Sequence, residues 1–268
     1  MTKPDDWDLY AAHRAKLTDA IVKSAGGAAG RLCILGAGRC NDVDLERLLR
    51  TFSEIHLVDN DKAALAQAVA RQDPAARPRI TTHELDLSGL SEKRLKKWER
   101  ETPSLEDVEE AAISTIESIA ESLGGPFEVV VSACLLTQMS FALRDALGEK
   151  HPMLGPIRLS LMVTHLTTLF ELTAVGGTPL FVSDLVSSSF YPLDDLPAER
   201  SLVDVMGDVV EAGSYYYAAN PNLVRDLARQ NELFCDRITE PELLDPWLWT
   251  GPFDRTYLVY ALRFQRYA

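Results

Sequence analysis

The sequence predicts an α/β protein: a doubly wound, mostly parallel seven-stranded sheet, closed by an antiparallel C-terminal hairpin and preceded by an N-terminal helical extension. Three observations carry this. The apolar run Arg31-Leu32-Cys33-Ile34-Leu35 ends in the turn Gly36-Ala37-Gly38, which opens towards a helix. Strand-like and helix-like segments then alternate with short connections, the pattern of parallel strands joined by right-handed crossovers. Finally, Phe127-Glu128-Val129-Val130-Val131-Ser132-Ala133 is a continuous β-branched run bounded by Gly124-Gly125-Pro126, as suits a central strand covered on both faces.

Taken in order, residues from about Trp7 to Ser24 place Leu9, Tyr10, Leu17 and Ile21 near helical spacing, stopped by Gly26-Gly27. The first strand spans about Leu32 to Leu35, followed by a helix from Asp42 through Leu45, Leu48 and Leu49. The second strand is Ile55 to Val58, with a helix from Asp61 through Leu65 and Val69. A third strand lies near Arg79 to Leu85 and ends at Asp86-Leu87-Ser88-Gly89. Residues 91–123 exceed the usual αβ connection and form a helical insertion. Its second half repeats Leu105, Val108, Ala112, Ile116, Ile119 and Leu123 at helical spacing, and Glu92-Lys93-Arg94-Leu95-Lys96-Lys97 reads as a solvated helix face.

After the fourth strand, Phe127 to Ala133, an apolar helix from about Ile157 to Val175 is stopped by Gly176-Gly177, and a fifth strand covers Pro179 to Ser183. A helix around Asn222 to Gln230, a strand near Leu233 to Ile238, a loop rich in Pro and Trp, and a strand from Thr256 to Phe264 complete the reading. Residues 1–30 are expected as a helical cap on a main domain of residues 31–268.

Composition narrows the function. The 268 residues are 46% hydrophobic and 25% charged, enough to bury a full core. A net charge of -13 opposes a phosphate backbone, so nucleic acid is disfavoured as a partner. Cys33, Cys40, Cys134 and Cys235 lack paired spacing, which predicts reduced thiols and a cytoplasmic location. There is no apolar leader, and the run Leu154 to Leu172 is broken by Pro156, Arg158, His165 and Glu171, so no membrane span is expected. No metal-ligand spacing is present; His56 and His83 stand on strands without a partner in sequence.

The chemistry gathers at strand ends. Gly36 and Gly38 allow a sharp turn and close approach of backbone to a ligand, and a helix starting near Asp42 would aim free amides at it. Asp59, ending the second strand about 20 residues on, can accept two hydroxyl hydrogen bonds as a carboxylate. Both fall at the carboxyl edge of the sheet, beside the topological switch point.

These residues resemble the class I S-adenosylmethionine-dependent methyltransferases, over about Leu32 to Phe264. The resemblance implies that Gly36, Ala37 and Gly38 cradle the cofactor's amino-acid end, that Asp59 with Asn60 holds the ribose, and that Asp86-Leu87 binds adenine. It implies that Ser132-Ala133-Cys134-Leu135 shapes the methyl-transfer pocket, with Ala133 and Cys134 at the cofactor. S-adenosylmethionine would be the methyl donor and S-adenosylhomocysteine the product. Two departures stand out: Cys40 occupies the place of a third glycine, and Ile34 and Leu35 replace the acidic residue often found there. The amino group would then be held by backbone carbonyls around Gly36 or Ala133.

Two alternatives share the glycine turn. An NAD(P)-binding Rossmann oxidoreductase would want a glycine where this chain has Asn41, and needs neither Asp86-Leu87 nor the terminal hairpin. A non-catalytic binding or scaffold protein on the same fold is the other.

Methyl transfer from a sulfonium is an in-line displacement that chiefly needs alignment and removal of a proton. No Asn or Asp followed by Pro-Pro and an aromatic stands after the fourth strand; Asn220-Pro221 reads as a turn and helix start. A small-molecule or protein acceptor is therefore expected. The candidate acceptor contacts are Trp7, Tyr10, His13 and Arg14 on the N-terminal helix, Asp184, Phe190 and Tyr191 in the loop after the fifth strand, and Tyr215 in the segment Ser214-Tyr215-Tyr216-Tyr217. The run Tyr215-Tyr216-Tyr217 reads equally as a substrate wall or a packing cluster. His165 reads as a buried structural histidine, with a catalytic base as the alternative, and Trp247-Leu248-Trp249 as a cap on the sheet edge, with a dimer or substrate patch as the alternative. Oligomeric state is not legible in the sequence.

Overall fold

The computed structural model describes residues 7–27, 30–251 and 254–268. Its strands are β1 (Arg31–Leu35), β2 (Glu54–Asp59), β3 (Ile80–Glu84), β4 (Phe127–Ala133), β5 (Thr173–Ser187), β6 (Glu242–Gly251) and β7 (Arg255–Arg263). They form one sheet in the order β3-β2-β1-β4-β5-β7-β6. The first five are mutually parallel, whereas β7 runs antiparallel to both β5 and β6. The predicted architecture is therefore present, including the terminal hairpin. Of the cap expected at 1–30, residues 1–6, 28 and 29 lie outside the described residues.

Alternation along the strands builds two cores. On β1, Cys33 and Leu35 face one cluster and Leu32 and Ile34 the other. The second cluster is covered by α1 (Ala11–Ser24), α2 (Leu45–Thr51) and α3 (Lys62–Ala70), through residues such as Leu17, Leu48 and Leu65. The first is covered by α4 (Glu92–Arg100), α5 (Leu105–Leu123), α6 (Leu135–Leu147), α7 (Leu154–Glu171), α8 (Leu202–Glu211) and α9 (Pro221–Gln230).

The insertion at 91–123 is thus two helices. The Ser104–Asp107 capping box starts α5, and Trp98 on α4 is buried, while the lysines of α4 stay at the surface as expected.

Several expectations need correction. The helix after β1 begins at Leu45, not Asp42. Asp44 caps it by accepting from the Arg47 amide at 3.0 Å, so its free amides are not aimed from the glycine turn at a ligand. Two helices went unread, α6 directly after β4 and α8. Helix α7 ends at Glu171, before Gly176-Gly177, which lie inside β5 where its register with β4 shifts between Phe127 and Val129. Residues 233–237 are turns and Ile238 forms only an isolated bridge to Arg266, while the Pro- and Trp-rich segment read as a loop is strand β6 itself. Pro246 is tolerated there because β6 is an edge strand and its pairing with β7 shifts between Leu244 and Trp247.

Candidate active-site cleft

The chain leaves β1 towards β2 and β3 and returns to the other side of β1 as β4. That switch point places the carboxyl ends of β1 and β4 side by side. At the end of β1, the amides of Gly36 and Ala37 donate to the Val58 carbonyl at 2.9 and 3.0 Å, locking the turn to β2. Gly36 has φ +79°, and a Cβ there would lie 2.9 Å from Cβ of Leu135, so the turn and the start of α6 meet with no room for a side chain. Cys40, at the third-glycine position, is buried with φ +51°: the glycine-like backbone conformation is kept by a residue that bears it under strain.

Asp59 stands at the end of β2, half-buried. Its Oδ2 accepts from the Gly38 amide at 2.8 Å and its Oδ1 from the Asp61 amide at 2.9 Å. Two backbone amides hold the carboxylate in one orientation, and each oxygen keeps a lone pair for a hydroxyl. Beyond β3, Asp86 Oδ1 accepts from the amide and hydroxyl of Ser88, at 2.9 and 2.6 Å, while Leu87 is buried beneath.

Gly36, Asp59, Asn60, Asp86 and Leu87 all line one cavity of about 460 Å³, roofed by Leu135, Gln138 and Met139 of α6 and floored towards the insertion by Leu90 and Leu95. A second cavity of about 690 Å³ adjoins it, because Gln138 lines both. Cys134 adopts φ +48° and turns the chain from β4 into α6; its carbonyl accepts from the Gln138 side chain at 2.9 Å. Cys134 and Thr137 therefore face the larger cavity, where Phe141, Tyr216, Trp249 and Tyr257 form aromatic walls.

Asp184 lies in the floor of that cavity. Thr137 Oγ1 donates to its Oδ1 at 2.6 Å, and burial pushes its carboxyl up to about 7. The register of β5 on β7 shifts between Asp184 and Val186, so that Leu185 and Val186 both enter the same core. The Leu185 carbonyl freed by this bulge accepts from the Tyr216 amide at 2.9 Å, which pins Tyr216 over the cavity.

Of the expected acceptor contacts, Tyr10 lines the larger cavity, its ring centroid 5.0 Å from that of Trp249. His13 is buried behind it: it accepts from Trp247 Nε1 at 3.0 Å, stacks on Trp249 at 4.4 Å, and is held down to about 3 by burial and by Arg14. Arg14 donates to the carbonyls of Trp7 and Asn41 and lies 3.5 Å from the Trp7 ring, tying the N-terminal segment to the glycine turn. Tyr191 and Tyr215 are half-buried against the core and outside both cavities; in the tyrosine run the cavity residue is Tyr216. Ala133 is buried just ahead of the turn. His165 is buried 2.6 Å from Ser132 Oγ, held down to about 4 by burial, as a structural histidine would be.

Asp184 and Phe190, expected among the acceptor contacts, both line the larger cavity, as does Trp249; Gln138 and Phe141 were missed as site residues. Asp184 lies inside β5 rather than in a loop after it, while Gln138 and Phe141 belong to α6, a helix no polar break announces in the sequence. Among the described residues, no cluster of His, Cys, Asp and Glu could hold a metal ion, and no helix is long and apolar enough to cross a membrane.

The chain matches no protein-family model and no curated protein. Among solved structures it is similar to the N-methyltransferase NodS from Bradyrhizobium japonicum WM9, at 13% identity and a TM-score of 0.48 over 98% of this chain and 99% of that one. It is similar to the YcgJ protein from Bacillus subtilis at 9% identity and a TM-score of 0.49, over 94% and 99% of the two chains. The S-adenosylmethionine-bound magnesium protoporphyrin IX methyltransferase from Synechocystis PCC 6803 gives 10% identity and 0.48, over 97% and 80%. At these values the likeness is one of coarse layout, and the case for a ligand rests on the cleft's own residues.

Proposed function

We propose that this chain is an S-adenosylmethionine-dependent methyltransferase, acting by in-line displacement on a small-molecule acceptor. The observation that carries the reading is Asp59, fixed by the amides of Gly38 and Asp61 at the rim of a cavity that also holds Asp86, Leu87 and the Gly36 backbone. A nucleoside fits this set. The two ribose hydroxyls would donate to Asp59, the adenine amine to Asp86, and the ring would lie against Leu87 and Met139.

The methionine end would then run along Gly36, Ala37 and Gly38 towards the Ala133-Cys134 turn. Asp42 is the acid present in this neighbourhood, close enough to raise both the Cys40 and the Cys134 thiols, and its own carboxyl is pushed up to about 7 by burial and the nearby Asp59 charge. It would offer the cofactor's amino group a counter-charge that strand β1 lacks. Binding an ammonium there would restore Asp42 to its ionised form.

When bound, the cofactor supplies an activated methyl group. The protein's own residues orient it: Gln138, shared by the two cavities, marks where the donor's sulfonium would face an acceptor in the larger one. Tyr10, Tyr216, Trp249 and Tyr257 wall that meeting point with aromatic surface. A compact acceptor suits a cavity of about 690 Å³, and the chain's net charge of -13 argues against nucleic acid.

Photolabelling tests the reading. Ultraviolet irradiation with methyl-tritiated S-adenosylmethionine should label peptides from residues 85–95 and 135–143, and excess S-adenosylhomocysteine should suppress the label. Labelling elsewhere, or labelling that resists this competitor, would contradict it.

A further inference from the structure

Asp184 lies outside the set of residues proposed to hold the cofactor. It is 8% exposed and lines the cavity beside Thr137 and Cys134, on the acceptor's side of Gln138. A buried carboxyl that changes charge near neutrality can take a proton from a reacting group. The other titratable groups facing it are Cys134 at the start of α6, Tyr216 on the loop before α9, and Tyr257 and Tyr260 on β7. Burial raises all four, so they stay neutral, and Arg255 lies beside Tyr257. Asp184 is therefore the group here that titrates near pH 7.

The walls indicate what the proton leaves from. Phe141 meets Tyr216 edge-on at 5.0 Å and Trp249 lies 5.2 Å from Tyr257, two contacting aromatic pairs whose apolar faces line the cavity and suit a flat ring. Two arginines, Arg144 and Arg255, line the same cavity against two acids, Asp145 and Asp184. With the two cations balancing the two acids, the cavity carries no net negative charge and suits a neutral or weakly acidic ring.

We propose that the acceptor is a phenol, its ring seated between Phe141, Tyr216, Trp249 and Tyr257, and that Asp184 takes the phenolic proton as the methyl group arrives. The inference rests on the methyl-transfer reading. In the step, the acceptor oxygen forms its bond to the methyl carbon as the carbon–sulfur bond breaks. That electron pair returns to sulfur, leaving a neutral thioether, and the hydroxyl proton passes to the Asp184 carboxylate, which becomes neutral.

The test uses the full chain with methyl-labelled S-adenosylmethionine. Catechol and 4-hydroxybenzoate serve as phenol probes, and aniline and 4-aminobenzoate as their amine counterparts. Methylation of a phenol on oxygen is expected, with kcat/KM rising through an inflection near pH 7. Asp184→Asn, which keeps an oxygen to accept from Thr137, should lower kcat by roughly 10²–10⁴-fold and remove the inflection. Its affinity for S-adenosylhomocysteine, measured on the same sample, should be unchanged. Methylation of the amines alone, an inflection retained in Asp184→Asn, or S-adenosylhomocysteine binding with no phenol methylated would overturn the assignment. Failure of the wild-type chain to bind S-adenosylhomocysteine would instead remove the methyl-transfer reading beneath it.

Discussion

The amide of Gly38 donates to Oδ2 of Asp59 at 2.8 Å, joining the turn after β1 to the end of β2. One hydrogen bond thus fixes the carboxylate proposed to hold the ribose to the backbone proposed to approach the cofactor. Asp59→Ala removes this tie together with the acceptor for the ribose hydroxyls. Hydrogen bonds to a charged group are worth about 1.5–3 kcal/mol, so calorimetry should find S-adenosylhomocysteine binding weakened by that amount. Unchanged affinity would exclude Asp59 from the site.

Gly36 is demanded by packing and by backbone together. Gly36→Ala places a Cβ 2.9 Å from Leu135 Cβ at φ +79°, and the left-handed conformation alone costs roughly 1–2 kcal/mol. Urea melts should show a loss of at least that size. Adding Leu135→Ala should return little of the loss, because alanine keeps the Cβ that makes the closest contact and φ is unaffected by the partner.

The first half of the chain was legible because its signals agree. Continuous apolar strands at Leu32–Leu35 and Phe127–Ala133 are bracketed by glycines, and Asp61 caps α3 at the position read from sequence. The rest was hidden by residues that act against their usual meaning. Cys134, a non-glycine in the left-handed region, turns β4 into α6 with no polar break to mark the boundary. Pro246 sits in an edge strand, where a missing amide is harmless, so a strand looked like a loop. Gly176 and Gly177 lie in an irregular stretch of β5 rather than stopping a helix. Sequence thus exposed the expected nucleoside end, carried by β1, β2 and β3. The larger cavity depends on α6, β6 and the Leu185 bulge, which long-range pairing defines.

His13 makes the N-terminal docking sensitive to acid. Burial holds it down to about 3 in the fold against about 6.5 unfolded. Its neutral form therefore stabilises the fold above pH 6.5, and this is lost as the pH falls from 6.5 towards 3. His13→Asn, whose amide oxygen can still accept from Trp247, should flatten this part of the stability profile. Relative to pH 7.5, the wild type should lose about 2 kcal/mol more than the variant at pH 5.

Asp184 has the opposite sign. Its carboxyl is raised from 3.8 to about 7, so the folded state holds the proton more tightly, and this contribution is complete below 3.8 and lost as the pH rises through 7. Asp184→Asn has no such dependence. Denaturation at pH 4 and pH 8 should show the variant gaining on the wild type at the higher pH by on the order of 3 kcal/mol. A constant difference would mean that Asp184 ionises normally in the fold.

The most direct test of the central claim is a calorimetric titration of the purified chain with S-adenosylhomocysteine and, in parallel, with NAD. A nucleoside cleft built around Asp59 and Asp86 for methyl transfer predicts saturable binding of S-adenosylhomocysteine and none of NAD. Binding of NAD alone would make the chain an oxidoreductase, and silence from both would leave a scaffold on the same fold; either result contradicts the account.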